Sequence, residues 1–387
     1  MTNQLGILSG STDGWQEGVG LPGEEDHERA SRDLALGSLR EELSLITNAE
    51  NLVVLAGSGA SLGIGDQTGL SKPPSMWSLW AEVQELESFK TVKSQLNVDA
   101  VNNGNFEHVL SDAQTRQAIT PDDTDLKTFI NEAESIVLAN CSFIRESSDL
   151  ETHELFLRKV ARRSTRLQRT QIFTTNYDLA FETAARRARF NVIDGFGYGG
   201  QDFDGSSFDL DYVRRRPHEP LALEPSVFHL LKLHGSVDWD SNDGIVQKIY
   251  WGGRPTNPVL IYPSSAKYQL SYQQPYFEFM SRFQIALRQP DVGLIIVGFG
   301  FNDEHLSAPI EAAIRSNVGL RAVLVSPGLR QEASRSKTIS WFEHLIHKGD
   351  RRLTMLEGTF DDVVKYLPDV PLHEDRDVHA DRVSSRN

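Results

Sequence analysis

The sequence predicts an α/β protein built on a doubly wound parallel sheet with a helical insertion. Three observations carry that expectation. Over 292–367, short apolar runs alternate with helix-period segments, the rhythm of repeated βαβ units. Four apolar runs stop abruptly at polar clusters, after Ala56, Thr175, Leu233 and Val297. In an open parallel sheet a ligand lies beyond the carboxyl ends of the strands, so these clusters are expected along one edge. Residues 76–168 carry helical periodicity without a convincing strand, which sets an insertion between the first and second strands.

Residues 1–24, rich in Gly, Ser, Thr and acidic side chains, read as a mobile arm. Over 25–47, Leu34, Leu39, Leu43 and Ile46 fall near helical spacing. The β-branched run 51–56 reads as a buried strand entering a tight turn at Gly57. Helices are expected over 76–90, 105–119, 125–146 and 152–167. A strand over 170–175 then opens a helix over 179–189, and 190–193 adds a short strand. Residues 195–225 are loop-dominated, rich in Gly, Asp and Arg. A strand over 227–233 ends at His234, and short strands follow over 246–251 and 259–262. After an aromatic-rich helix over 275–288, strands at 292–297, 320–325 and 351–356 alternate with helices at 304–315, 337–347 and 360–367. The polar tail 368–387 reads as mobile, which leaves 25–367 as the folded domain.

The 387-residue chain carries 39 Lys and Arg against 54 Asp and Glu, a formal charge of −15. Phosphates repel such a surface, which argues against direct nucleic-acid binding. The arginines of 162–169, 186–187 and 214–216 read instead as solvated faces or subunit contacts. Cys141 is the sole cysteine, which excludes an intramolecular disulfide framework and a zinc module of several thiolates from this chain. No apolar run reaches the roughly 18–20 residues of a membrane span. Residues 1–10 lack the basic and apolar regions of a secretory signal, so the cytoplasm is the expected compartment. Asp303, Glu304 and His305 are adjacent on a helix and point in different directions, so no metal is expected there.

Each polar cluster has a plain structural reading beside a chemical one. Gly57-Ser58-Gly59-Ala60-Ser61 lets a backbone approach a pyrophosphate and offer N–H donors, or simply makes a tight turn. It lacks the third glycine of G-x-G-x-x-G, because Leu62 stands there. Thr174-Thr175-Asn176-Tyr177-Asp178 offers short polar groups that orient a sugar hydroxyl, a water or a developing cation, or cap a helix. His234, beside Gly235 at a strand end, suits general-base work near neutral pH or serves as a satisfied structural histidine. Gly298-Phe299-Gly300-Phe301-Asn302-Asp303 is a second phosphate- or ribose-contacting turn, or a strand–helix connection capped by Asn302 or Asp303.

The order of these clusters, Gly57-Ser-Gly-Ala-Ser61, Thr174-Thr-Asn-Tyr-Asp178, Leu233-His-Gly-Ser236 and the turn at Gly298, resembles the sirtuin family, whose GAGxS, TxNxD and HG motifs occur in that order on a Rossmann-like sheet. The resemblance implies that Gly57, Ser58, Gly59 and Ser61 line the phosphates and ribose of NAD. It implies that Thr175, Asn176 and Asp178 sit in the nicotinamide and ribose pocket, and that His234 is the catalytic histidine. Gly298 would belong to the later glycine turn, with Ser326 and Phe360 near the adenosine end. The four-cysteine zinc module is missing, the family's GIPDFR segment is replaced by Gly63-Ile-Gly-Asp-Gln-Thr-Gly69, and no protein-substrate motif follows His234. These departures bring the chain closest to the zinc-less sirtuin-like domains of bacterial antiphage systems.

That branch implies an NAD+ hydrolase releasing nicotinamide and ADP-ribose, which depletes cellular NAD when triggered. It also implies a homo-oligomer, up to a large one, and a companion such as a HerA-type ATPase or an Argonaute-like protein. The insertion and the arm would be the contact surfaces. The competing readings are an NAD-dependent protein-lysine deacylase and a non-catalytic scaffold that binds NAD or ADP-ribose.

Overall fold

Apolar runs rich in Val, Ile and Leu have no polar side to show to water, so they pair into a sheet covered on both faces. The computed structural model describes residues 5–12, 14–19, 26–65, 72–197, 202–249, 253, 255–260, 274–331 and 335–369. The main sheet holds β1 (Leu5–Ser9), β2 (Gln16–Val19), β3 (Asn51–Ala56), β4 (Gln171–Thr174), β5 (Asn191–Ile193), β8 (Val227–Lys232), β12 (Val292–Val297), β13 (Leu320–Val325) and β14 (Leu353–Glu357). Their order is β2-β1-β14-β13-β12-β3-β4-β8-β5. Every pairing from β14 across to β5 is parallel. The chain leaves β3 outward through β4 and β8, then returns to β12 on the other side and runs out to β14. The winding direction therefore reverses between β3 and β12, and that reversal opens a crevice at their carboxyl ends. This is the doubly wound parallel α/β sheet expected from the sequence.

Strand alternation sends Leu52, Val54 and Ala56 to one face of the sheet and Val53 and Leu55 to the other. The first face is covered by α1 (Asp26–Asn48), α7 (Glu151–Val160), α8 (Ala180–Ala188) and α12 (Phe360–Tyr366). The second is covered by α9 (Tyr276–Leu287), α10 (Glu304–Ser316) and α11 (Lys337–His347). Between β3 and β4 lie α2 (Met76–Gln84), α3 (Glu87–Val92), α4 (Val98–Asn102), α5 (Phe106–Ile119) and α6 (Thr124–Cys141), which build a separate core around Val83, Phe89, Val109 and Phe129. A small sheet orders β10 (Ile245–Lys248), β9 (Gly235–Asn242) and β11 (Pro258–Leu260), and β6 (Val213–Arg214) pairs with β7 (Ala222–Leu223).

Three expectations are corrected. The arm over 1–24 is not an arm between Leu5 and Val19. β1 pairs antiparallel with β14, β2 pairs with β1, and all five side chains of β1 are buried. Composition misled because an antiparallel edge hairpin needs only a few apolar residues, here Leu5, Ile7 and Leu8. The insertion ends with α6, because Phe156, Leu157 and Val160 of α7 pack into the main sheet's core. The helix expected over 76–90 is two helices, since Leu86 is extended at φ −62 and ψ 132. Residues 1–4, 13 and 20–25 of the expected arm, 66–69 of the segment after Gly65, 250–251 and 261–262 of the expected short strands, and 370–387 of the expected tail lie outside the described residues.

Candidate active site

At the reversal point the turns after β3 and β12 meet with no room to spare. Gly57 N–H donates to the Val297 carbonyl at 2.9 Å, and Gly59 N–H to the Gly298 carbonyl at 3.0 Å. A Cβ on Gly57 would lie 2.5 Å from the Gly298 oxygen, and one on Gly59 would lie 2.6 Å from the Gly298 Cα. Gly298 itself sits at φ +63, a left-handed conformation that glycine adopts without strain. The amides of Ala60 and Ser61 are also used, donating to the carbonyls of Gly57 and Ser58. The motif therefore does not present the ring of N–H donors that its glycines suggested. The glycines instead make a low saddle across which a ligand can lie between two cavities.

The first cavity, about 200 Å³, is lined by Gly57, Ser58, Ser61, Thr175, Asn176, Asp178, His234 and Gly298 among others. β3, β4, β8 and β12 each deliver part of this set from their carboxyl ends, so residues far apart in sequence converge. Asn176 Nδ2 donates to Ser61 Oγ at 2.9 Å, and Ser61 Oγ donates to Asp178 Oδ2 at 2.8 Å. All three are buried. The other Asp178 oxygen accepts from Ala180 N–H at 2.9 Å, so Asp178 satisfies the start of α8 and faces the cavity at once. The capping reading of this cluster is realised, and its polar side chains line the cavity. Thr174 donates to the Ala56 carbonyl and accepts from Asn176 N–H, which pins the loop to β3.

His234 is paired through Nε2 with Asp303 Oδ2 at 2.9 Å, both buried. Asp303 Oδ1 accepts from His305 N–H at the start of α10, so this carboxylate is fixed by backbone as well as by the histidine. Gly235, at φ +94 and with its Cβ position 2.1 Å from the Val259 carbonyl, lets the chain turn from β8 into β9 immediately after His234. Beneath the loop, buried Lys232 donates to the carbonyls of Tyr177 and Asp178, at 3.1 and 2.5 Å, and to Glu182 at 3.0 Å. One ammonium thus holds the backbone that carries Asn176 and Asp178.

A second cavity, about 240 Å³, lies across the saddle and shares Gly298 with the first. Gly59 and Phe360 line it. Val325 and Pro327 line it too, on either side of Ser326, which is not among the lining residues. Ser326 instead carries backbone bonds to Leu356 and Gly358.

Several lining residues were not assigned a role from the sequence. Asp303 is singled out there as part of a turn or as a helix cap, and its pairing with a histidine 69 positions away has no local signal. Pro73, Pro74, Met76, Cys141 and Phe143 come from the insertion and the segments flanking it. Burial, with Asp178 nearby, pushes the Cys141 thiol up to about 12, so it stays protonated. His153, in the second cavity, carried no motif. No group of three or more His, Cys, Asp or Glu placed to hold a metal ion occurs among the described residues.

A glycine saddle at the winding reversal, with polar side chains gathered from four strand ends, defines an α/β domain of Rossmann-like type. Residues 170–343 match the SIR2-like domain family, and the chain carries that sirtuin-like domain. The matched span includes Thr175, Asn176, Asp178, His234, Gly298 and Ser326. Domains of this family are generally NAD-dependent enzymes, and the matched domain therefore suggests an NAD-related activity. A comparison with curated proteins found no match. No helix among the described residues is long and apolar enough to cross a membrane.

Proposed function

We propose that the protein is an NAD+ glycohydrolase that releases nicotinamide and ADP-ribose. The observation that carries this reading is the convergence of Asn176, Asp178 and His234, all buried, on one cavity at the sheet's reversal point. The polar set fits a nicotinamide riboside: a carboxylate and an amide oxygen that accept, and an imidazole, with the saddle leading away toward a second cavity. Cleaving the nicotinamide–ribose bond develops positive charge on the sugar, and the Asp178 carboxylate supplies the opposite charge. His234 takes a proton from a ribose hydroxyl, and Asp303 stabilises the imidazolium that results. Asn176 spends its Nδ2 on Ser61, which leaves its carbonyl oxygen to orient a water or the nicotinamide amide.

Water is the acceptor in this reading, because the sequence lacks the substrate-strand motif of the deacylating sirtuins. We place the enzyme in a bacterial antiphage defence system, in the cytoplasm, as a homo-oligomer that a companion protein switches on. A HerA-type ATPase or an Argonaute-like protein fits that role by resemblance, and the helical insertion at the cavity mouth is where such a companion would act. The test is to incubate the full chain with NAD+, alone and with the products of neighbouring genes, and to follow nicotinamide and ADP-ribose by chromatography. ADP-ribose formation lost in both Asn176→Ala and His234→Ala is the expected result. Intact NAD+ under every triggering condition would sink the reading.

A further inference from the structure

The loop that carries Asn176 and Asp178 is held from two sides. From Thr175 to Leu179 the chain is neither strand nor helix, so its backbone groups have no ladder of their own. Buried carbonyls in such a turn need donors from elsewhere. On the cavity side, the Asn176 and Asp178 side chains meet at Ser61 Oγ. Beneath the loop, the carbonyls of Tyr177 and Asp178 accept from Lys232 Nζ at 3.1 and 2.5 Å. The Tyr177 carbonyl also accepts from Val237 N–H at 3.0 Å. Lys232 is the last residue of β8, 3% exposed, and it does not line the cavity.

A buried ammonium is costly unless it is paired and hydrogen-bonded. Glu182, one turn into α8, supplies the pairing at 3.0 Å. Burial raises the Glu182 carboxyl, and the charges of Lys232 and Lys248 pull it back down. Lys248 is itself held by Asp194 at 2.5 Å. Apolar side chains of similar volume often replace a buried ion pair with no loss of stability. Packing alone therefore does not call for a lysine at the end of β8. What an apolar residue could not do there is donate to the two carbonyls.

Resting on the hydrolase reading above, we propose that Lys232 is a positioning residue for the cleavage: by drawing the carbonyls of Tyr177 and Asp178 beneath the loop, it holds the side chains of Asn176 and Asp178 toward the reacting sugar, while Glu182 balances its charge. Without the ammonium, the two carbonyls turn to find other donors and the loop shifts with them. A displacement of about 1 Å in a reacting geometry costs on the order of 100-fold in rate.

The test compares the full chain with Lys232→Met, which keeps the length of the side chain and loses its donors. Because that change strands the Glu182 carboxylate, Lys232→Met combined with Glu182→Gln is measured beside it. Steady-state kcat and KM for NAD+ are taken under the condition that triggers the unmodified chain. Each kcat is counted per ADP-ribose-binding site, titrated by calorimetry, so unfolded protein drops out. Urea midpoints are recorded for all three chains. The expected result is a kcat at least about ten-fold lower in both variants, with KM changed by less than about three-fold. The double variant should regain most of the urea midpoint that the single one loses, while its kcat stays low. A kcat that recovers together with the midpoint would make Lys232 a structural residue only and overturn the proposal. Unchanged kcat in both variants, or a loss confined to KM, would overturn it too and leave the hydrolase reading standing. NAD+ left intact by the unmodified chain under every trigger would remove the hydrolase reading, and this proposal with it.

Discussion

His234 reaches its orientation through a carboxylate that belongs to a different strand end. With Nε2 held by Asp303 and Asp303 held by His305 N–H, the imidazole has one ring position fixed before any substrate arrives. Asp303→Asn keeps the shape and the helix cap but removes the charge that, in the hydrolase reading, stabilises the imidazolium. It should lower kcat for NAD+ by at least about ten-fold while leaving KM nearly unchanged, in steady-state assays. Cys141 stands in the same cavity wall but is a poor nucleophile, since its thiol is pushed up to about 12. Cys141→Ser should leave turnover intact, and iodoacetamide should not inactivate the folded enzyme.

Among the elements, the two glycine turns and the β1–β2 hairpin carry constraints that can be measured. Gly59 packs its backbone against Gly298, so Gly59→Ala forces two strand-end turns apart. Overpacking of this kind costs about 1–3 kcal/mol, to be read as a lowered urea midpoint. The same substitution reshapes both cavities and should weaken ADP-ribose binding. Ile7 is fully buried where β1 covers the edge of β14. Ile7→Ala should destabilise the fold by about 2–5 kcal/mol, whereas a true arm would show no change.

For the whole molecule, the buried imidazole of His153 links stability to pH. Its folded value is near 4, below the ordinary 6.5, so the unfolded chain binds the proton more readily. Stability is therefore fully present above about pH 6.5 and falls as the pH drops toward 4. The unfolding midpoint should decline through that window, and His153→Phe should make the decline shallower, leaving the share of His229, which burial also holds down to about 4. A decline equally steep in the variant would assign it to other groups.

Much of this was legible in the sequence because periodicity and strand-end clusters are local signals. The strand over 51–56 and those at 292–297 and 320–325 were placed to the residue, since β-branched runs bounded by Gly or Asn have few alternatives. The order of the polar clusters carried the sirtuin-like resemblance, with which the match over 170–343 agrees, and it named Asn176, Asp178 and His234 as candidates. The sequence by itself therefore determined the α/β class and the sirtuin-like resemblance, and it singled out Asn176, Asp178 and His234, which line one cavity. Only the tertiary structure decided that residues 5–19 complete the sheet, that α7 leaves the insertion, that the glycine amides are already bonded, that Asp303 partners His234, and that His153 enters a second cavity. Each of these depends on contacts between segments distant along the chain. Such contacts are set by how the sheet winds and which faces it buries, and no local pattern encodes them.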